Sequence, residues 1–481
     1  MKKIIVLNPT NDAREVSKQP FGLLTIASKF MDNGFDVVWL DGDPNRGEDL
    51  GVSYIKDNLS KHTDASLICT GGLNTTYRFI KDLFLYIEES EIQIPILVGG
   101  RVAKDIDYLL WETISNLKYI CKQEGEHVVD WLCDNNLDLT NAPGIIHREN
   151  GEIFEHDDAP EIKHLNDSPV LRWDLLDPIY FKNGWGSILT SRGCPFRCSF
   201  CQTKGKKYRI LGPERIVDEI KTIVKKFDVK KITIADELFL VQKDRVAELC
   251  DYIKPLGIKW RCSSRGDLVT LKEFPLLKKM KDSGCERIVM GIESGSNVVL
   301  HSMSKGETIE QMEVAIRLIN FAGMEVSPTF IFGHPGETRE TALESVKWRK
   351  KMGFYGGYFY ATPYPNTPLY ENYRKDHDLS IQEEVDYIQA SPYIKNLEIN
   401  FTDMSMKELK DLDKECRIML KDPMPFYLRR LLRKLMVKIV LPAFAPFFIN
   451  KLAFKRGSMK IYNSKLDGTV SDDIHIELQE E

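Results

Sequence analysis

Ser191-Arg192-Gly193-Cys194-Pro195-Phe196-Arg197-Cys198-Ser199-Phe200-Cys201-Gln202 follows directly on the apolar run Gly186-Ser187-Ile188-Leu189-Thr190. It gathers three of the chain's 10 cysteines into a C-x3-C-x2-C loop at the end of a strand. Such a loop can hold core thiols, a zinc ion or an iron–sulfur cluster. Zinc usually takes four ligands from paired knuckles, and no second C-x2-C or H-x3-H pair is present. Three thiolates can hold three irons of a [4Fe–4S] cube and leave the fourth open. Gly193 and Pro195 suit a tight loop, and Arg192 and Arg197 can offset the charge of a thiolate-ligated cluster.

Downstream, apolar runs alternate with helical spacing. Strands are expected at Ser187–Thr190, Lys231–Ala235, Lys259–Ser263, Arg287–Gly291, Glu325–Phe332 and Gly357–Thr362. Thr308-x-x-Gln311 reads as a capping box opening a helix with Met312, Ile316 and Ile319 on one face. Six strand–helix units are too few for a closed eightfold barrel, so a partial (β/α)6 barrel over residues 186–375 is expected. Upstream, Lys3–Leu7, Asp36–Asp41, Ala65–Thr70, Pro95–Gly99 and Tyr119–Lys122 read as strands, with helices at Phe21–Asn33, Thr76–Glu89 and Glu126–Asn135. This alternation predicts an α/β, doubly wound (Rossmann-like) domain over residues 1–140. Residues 141–185, rich in Asn, Asp, Pro and His, read as a linker.

Four further motifs fall at the ends of the expected barrel strands: Asp236-Glu237-Leu238-Phe239, Gly291-Ile292-Glu293-Ser294-Gly295, Gly333-His334-Pro335-Gly336-Glu337-Thr338, and Pro363-Tyr364-Pro365-Asn366-Thr367-Pro368-Leu369. With Cys194, Cys198 and Cys201, residues 186–370 resemble the radical S-adenosylmethionine (SAM) enzymes. The resemblance implies that the three cysteines hold a [4Fe–4S] cluster whose open iron binds SAM. One electron then cleaves SAM to methionine and a 5′-deoxyadenosyl radical, which abstracts hydrogen from an unactivated carbon. It further implies that Glu293 binds SAM through its ribose or amino group, and that Asp236 and Glu237 line the site near the methionine part. Helix N-capping is the structural alternative for Asp236 and Glu237, and turn packing the alternative to substrate contact for His334.

The strand ends of the first domain carry Gly71-Gly72, Gly99-Gly100 and Glu124-Gly125-Glu126, with Pro20-Phe21-Gly22-Leu23-Leu24 opening its first helix. Glycines let backbone approach a bulky ligand and turn N–H groups toward a phosphate. In this order, ahead of such a core, the segments look like the cobalamin-binding domain of the family's B12-dependent class. Gly71, Gly72, Gly99, Gly100, Gly125 and Glu126 would then bind cobalamin. Two departures stand out. The loop after the first strand, Asn8-Pro9-Thr10-Asn11-Asp12-Ala13, lacks D-x-H-x-x-G, so the implied cobalt has no histidine from the protein. Gln123 also stands where the family more often has Gly before E-G-E.

The whole chain has 481 residues, which suggests about three domains. With Lys+Arg 66 against Asp+Glu 71, a formal net charge of −5, it offers no polycation for nucleic acid. The start, Met1-Lys2-Lys3-Ile4-Ile5-Val6-Leu7, reads as a strand rather than a signal peptide, and a cytoplasmic setting with free thiols is expected. Residues 376–481 are expected to be helical with a frayed acidic tail. Within them Phe426–Val440 sets an apolar stripe beside Arg429, Arg430, Arg433, Lys434 and Lys438, a pattern of peripheral contact with the inner face of a membrane. A barrel-packed helix fits the same pattern. The favoured reading is cobalamin-dependent methyl transfer to an unactivated carbon of a small-molecule or lipid-like substrate, fed by an external electron donor such as flavodoxin or ferredoxin. Radical cyclisation or ring contraction, methylthiotransfer and an iron–sulfur electron carrier are the alternatives. A carrier would need four protein ligands and none of the strand-end motifs.

Overall fold

The computed structural model describes residues 2–9, 19–42, 57–90, 92–390 and 397–424, a few single residues between 428 and 436, and residues 459–462 and 475–478. The first sheet is built from β1 (Lys3–Asn8), β2 (Asp36–Asp41), β3 (Leu67–Gly72), β4 (Ile96–Gly99), β5 (Tyr119–Cys121), β6 (Ile145–Glu149) and β7 (Glu152–Glu155). Their order across it is β2-β1-β3-β4-β5-β6-β7. Strands β1 to β5 are parallel, and the hairpin β6–β7 adds antiparallel to β5. Ile4, Ile5, Val6 and Leu7 are all fully buried because helices cover both faces of the sheet, which is why this strand reads as an unbroken apolar run. Strand β1 lies between β2 and β3, so the chain changes direction across it. The crevice beyond the carboxyl ends at such a switch point is where doubly wound sheets bind ligands.

The second sheet is built from β8 (Trp185–Ile188), β11 (Lys231–Ile234), β12 (Lys259–Ser264), β13 (Cys285–Glu293), β14 (Glu325–Phe332) and β15 (Phe359–Tyr360). A separate short pair, β9 (Ser191–Arg192) and β10 (Arg209–Ile210), lies between its first two strands in sequence. The six sheet strands are parallel, in the order β15-β14-β13-β12-β11-β8. No pairing joins β15 to β8, so the barrel is partial, as expected. The Thr308–Gln311 capping box forms at the head of helix Ile309–Phe321, and Met312, Ile316 and Ile319 are buried beneath it.

The segments outside the two expected domains pack closely on them. In residues 141–185, read as a linker, Ile145 and Ile146 enter the first domain's core through β6, while Trp173, Leu176, Tyr180 and Phe181 pack into the barrel core. Leu24 of the first domain joins that same core, and Phe21 meets Trp173 edge-on with ring centroids 6.3 Å apart. Residues 376–481 contribute packing as well. Helix Ile381–Ala390 sends Val385 and Ile388 into the first domain, and helix Met406–Met419 packs Leu409, Leu412 and Cys416 beside Phe332. Finally, the tail includes an antiparallel pair, β16 (Met459–Tyr462) with β17 (His475–Leu478), whose residues alternate apolar and polar. The five basic residues of Phe426–Val440 lie outside the described residues; Leu428, Leu431, Leu432, Leu435 and Met436 are described and exposed. No helix among the described residues is long and apolar enough to cross a membrane.

Candidate active site

The cysteine loop is pinched at its neck. Strands β9 and β10 pair antiparallel, so residues 193–208 leave and return at one point. Gly193 has φ +87° there, and a Cβ would overlap the Lys207 carbonyl. Inside the loop, Lys206 N–H donates to Cys194 O (2.8 Å) and Gly205 N–H to Phe196 O (2.7 Å). The neck is braced by Asp236 at the end of β11. Its carboxylate accepts from Thr190 N (2.6 Å), Thr190 Oγ1 (2.6 Å) and Ser191 N (3.1 Å), with Arg245 3.8 Å away. Asp236 is buried, and burial raises its carboxyl against these donors. Both of its oxygens are committed to these donors. Glu237, next in sequence, is exposed; desolvation by the surrounding protein raises its carboxyl, and Arg101 opposes the rise.

Cys198 is buried, whereas Cys194 and Cys201 are half-buried. Burial pushes the Cys194 and Cys198 thiols up, and at Cys198 Lys305 and Arg265 pull against it. Arg265 Nη1 lies 3.8 Å from Cys198 Sγ, and its guanidinium stacks on Phe196 at 3.6 Å. Arg265 also acts on Cys194 in the same sense. Arg197 is exposed, and Arg192 is occupied elsewhere. Three thiols on one loop under a cationic shell suit an anionic, thiolate-ligated cube. Among the described residues, no three His, Cys, Asp or Glu side chains converge closely enough to hold a single ion.

Glu293 ends β13 in a left-handed conformation, φ +63°, beside a register shift between Gly291 and Glu293. A non-glycine residue held there is strained, and the bulge aims its side chain inward. Its carboxylate is buried, with Thr329 Oγ1 at 3.4 Å and Lys305 Nζ at 3.8 Å. Both contacts are long, so Glu293 keeps acceptor capacity for a ligand. Lys305 is tied more closely to Glu307 (3.1 Å), which accepts the Gly266 and Asp267 N–H groups (2.6 and 3.1 Å). Burial disfavours the Lys305 charge, but Glu293 and Glu307 outweigh it and its pKa is raised.

His334 is buried between Ser199 Oγ (Nε2, 3.2 Å) and Pro335 O (Nδ1, 3.1 Å), so it packs the fifth-strand turn against the cysteine loop. Burial lowers its pKa to about 4. Next to it Glu337 accepts the Gly333 N–H (2.6 Å), and burial raises its carboxyl to about 7 from an ordinary 4.5. Between those values the folded protein holds a proton that the unfolded chain has released. Stability therefore falls as pH rises through this window, by up to about 3 kcal/mol. Glu337→Gln should leave the urea midpoint nearly unchanged at about pH 5 and raise it at about pH 8. Equal shifts at both would contradict a buried proton there.

The second half of the site is a cavity of about 610 Å³ at the switch point of the first sheet, within the roughly 300–1,000 Å³ common for cofactor sites. Gly71, Gly72, Gly99, Gly100, Gly125 and Glu126 all line it, so the structure brings the six expected residues together. Gly71, φ +151°, packs so closely on β4 that a Cβ would overlap the Gly99 carbonyl. Leu23, Ile26, Leu73, Leu97, Val128 and Val129 make most of the wall apolar. Among the described residues, no histidine lines it. Leu189 and Arg192 close the cavity from the barrel side. Arg192 pairs with Glu126 at 2.6 Å and lies 3.4 Å from Glu124, and Arg209 holds Glu124 at 2.6 Å. The E-G-E loop is thereby bolted to the neck of the cysteine loop. A second joint lies at Asp105. This fully buried carboxylate accepts from Arg101 (3.2 Å), from Gln202 beside Cys201 (3.1 Å), and from Asn366 (3.0 Å). Asn8, Gln19 and Tyr180 also stand in the cavity wall, and the sequence motifs do not point to them. Only Gln19 carries a cue, its place just before Pro20-Phe21-Gly22.

The model of the Radical SAM superfamily matches residues 188–349. The chain is 30% identical over 390 residues to "Uncharacterized methyltransferase PH0819" of Pyrococcus horikoshii, covering 77% of this chain and 83% of the relative. It is 30% identical over 359 residues to the anaerobic magnesium-protoporphyrin IX monomethyl ester cyclase of Rubrivivax gelatinosus, covering 70% of this chain and 62% of that protein. Two solved structures share its fold. The cobalamin-dependent S-adenosylmethionine radical enzyme OxsB, with aqua-cobalamin and S-adenosylmethionine bound, superposes with TM-score 0.64 at 21% identity, over 81% of this chain and 56% of that one. The radical S-adenosylmethionine methyltransferase TsrM from Kitasatospora setae, with cobalamin and a [4Fe-4S] cluster bound, gives 0.63 at 20%, over 77% and 74%. Against the cyclase and OxsB this chain spans less than two thirds of their length. Through the Pyrococcus relative, the family match and the half-barrel with its cysteine loop, the chain belongs to the radical SAM superfamily and is an enzyme of that family with a Rossmann-like domain ahead of the core.

Proposed function

We propose that this enzyme is a cobalamin-dependent radical SAM methyltransferase acting on an unactivated carbon. The observation that carries this reading is the shared wall: Arg192, two residues before Cys194, closes the glycine-floored cavity and pairs with Glu124 and Glu126 of the first domain. When bound, the cluster supplies the electron that cleaves SAM, and the corrinoid carries the methyl group. Cys194, Cys198 and Cys201 would hold the cluster, with Arg265 and Lys305 balancing its charge. Glu293 would accept a SAM N–H or O–H, and Glu237 would lie near the methionine part. Asp236 and His334 keep the loop in place. An external one-electron donor such as flavodoxin or ferredoxin would reduce the site.

Methylthiotransfer fits less well. Cys69 and Cys121 stand in the apolar cavity wall, and burial raises both thiols, Cys121 to about 11. That favours the protonated form rather than a ligating thiolate. The names of the curated relatives include both methyltransferase and cyclase, so the product decides. Protein made anaerobically with hydroxocobalamin should retain an equimolar corrinoid whose Co(II) EPR lacks hyperfine splitting from a protein imidazole. With SAM, reductant and substrate it should yield S-adenosylhomocysteine. Full activity without corrinoid would overturn the proposal.

A further inference from the structure

The wall of the cavity holds a polar group with an unmet need. Gln19 is 5% exposed and lines the cavity beside Pro20. Its Nε2 donates to the Tyr180 carbonyl at 3.2 Å. That contact fixes which way the amide faces, because the flipped amide would set two carbonyl oxygens against each other. Gln19 Oε1 is then buried with no donor among the described residues. The groups around it are satisfied by one another. Asn8 Nδ2 donates to Asp41 Oδ1 and to Tyr180 Oη, both at 2.8 Å, and Tyr180 Oη donates to Asp41 Oδ1 at 2.6 Å. This triangle locks Tyr180, and Tyr180 locks Gln19. A buried carbonyl without a donor is rare and costly. In a cavity it marks where a ligand N–H belongs.

We infer that Gln19 Oε1 accepts a carboxamide N–H from the edge of the bound corrinoid, so that this part of the cavity wall distinguishes an amidated macrocycle from its carboxylate form. The inference rests on the corrinoid reading above. A carboxamide offers the donor that Gln19 lacks. A carboxylate at the same place brings only lone pairs toward an acceptor, in a mostly apolar pocket, and is rejected.

The test is a binding cycle on the full-length protein, read by equilibrium dialysis and corrinoid absorbance. Hydroxocobinamide, with its carboxamides, and cobyrinic acid, with carboxylates in their place, are each bound to the wild type and to Gln19→Met, which keeps the length and removes the acceptor. We expect the variant to lose about tenfold in affinity for the amide and to change by less than about twofold for the acid, so that selectivity falls about tenfold. If Gln19→Met does not fold, Gln19→Asn withdraws the acceptor by one methylene and should give the same fall. An unchanged selectivity ratio overturns the inference while leaving corrinoid binding intact. A wild type that binds neither corrinoid overturns the corrinoid reading itself, and this inference with it.

Discussion

Replacing Cys194, Cys198 and Cys201 together by Ala should abolish the visible absorbance of the reconstituted cluster and all SAM cleavage, while the far-UV circular dichroism stays that of the wild type. The fold tolerates the change because the loop is held by other groups. Its neck is paired through β9 and β10, Asp236 grips Thr190 and Ser191, and Ser199 N–H bonds to Met303 O at 2.9 Å. Only Cys198 is buried, so the packing cost should be small, roughly 1–2 kcal/mol. Loss of the open-iron site removes the chemistry itself, a fall in rate of at least about 10⁴-fold. Iron and sulfide analysis with EPR of the reduced protein checks this directly. A triple variant that still reconstitutes a [4Fe–4S] signal would refute the ligand assignment.

Asp105→Ala should have the largest effect on stability of any single change away from the cluster. The side chain is fully buried and takes hydrogen bonds from the first domain, the cysteine loop and the sixth-strand motif. Removing it takes an acceptor from Arg101, Gln202, Asn366 and Asn74, of which Arg101 and Gln202 keep bonds to the Gln202 and Pro365 carbonyls, at a cost of about 3 kcal/mol. The urea midpoint reports the loss. In a double-mutant cycle with Gln202→Leu, the two changes should fall short of additive by about 1 kcal/mol or more. Full additivity would mean that the joint carries no shared energy. Because Gln202 follows Cys201, the same variant should lower the iron retained per chain.

Much of this architecture is legible in the amino-acid sequence. Asp36–Asp41 forms a strand with both ends where the run DVVWLD places them, since Gly34 and Gly42 punctuate it. The strand-end motifs are legible because a parallel barrel puts chemistry at one end of every strand, and an unusual string such as Gly291-Ile292-Glu293-Ser294-Gly295 marks it. The hairpin β6–β7 is not, because its turn and polar surroundings hide Ile145 and Ile146 and its outer strand, Glu152–Glu155, is exposed along its length. The site's supporting groups are hidden for another reason. Asn8 meets Tyr180 across 172 residues and Gln202 meets Asp105 across 97, and no local pattern encodes such a meeting. Asp236 shows the limit of motif reading. Its position is legible, but the direction of its side chain is set by Thr190 and Arg245, residues outside the motif.

The placement of Leu24, Trp173 and Tyr180 has a consequence for how such a chain can be recombined. Its changes of composition fall near residues 140 and 185, but its packing does not change there. A graft of the first domain cut at residue 140 would leave behind β6, and with it Ile145 and Ile146. A graft cut at 185 would carry away Trp173 and Phe181, which belong to the barrel's interior. Either way the barrel would also lose Leu24 from that interior. Swapping cofactor domains among relatives of this enzyme therefore means moving a surface of matched side chains, Arg192 and Arg209 with Glu124 and Glu126 included, rather than a segment of sequence.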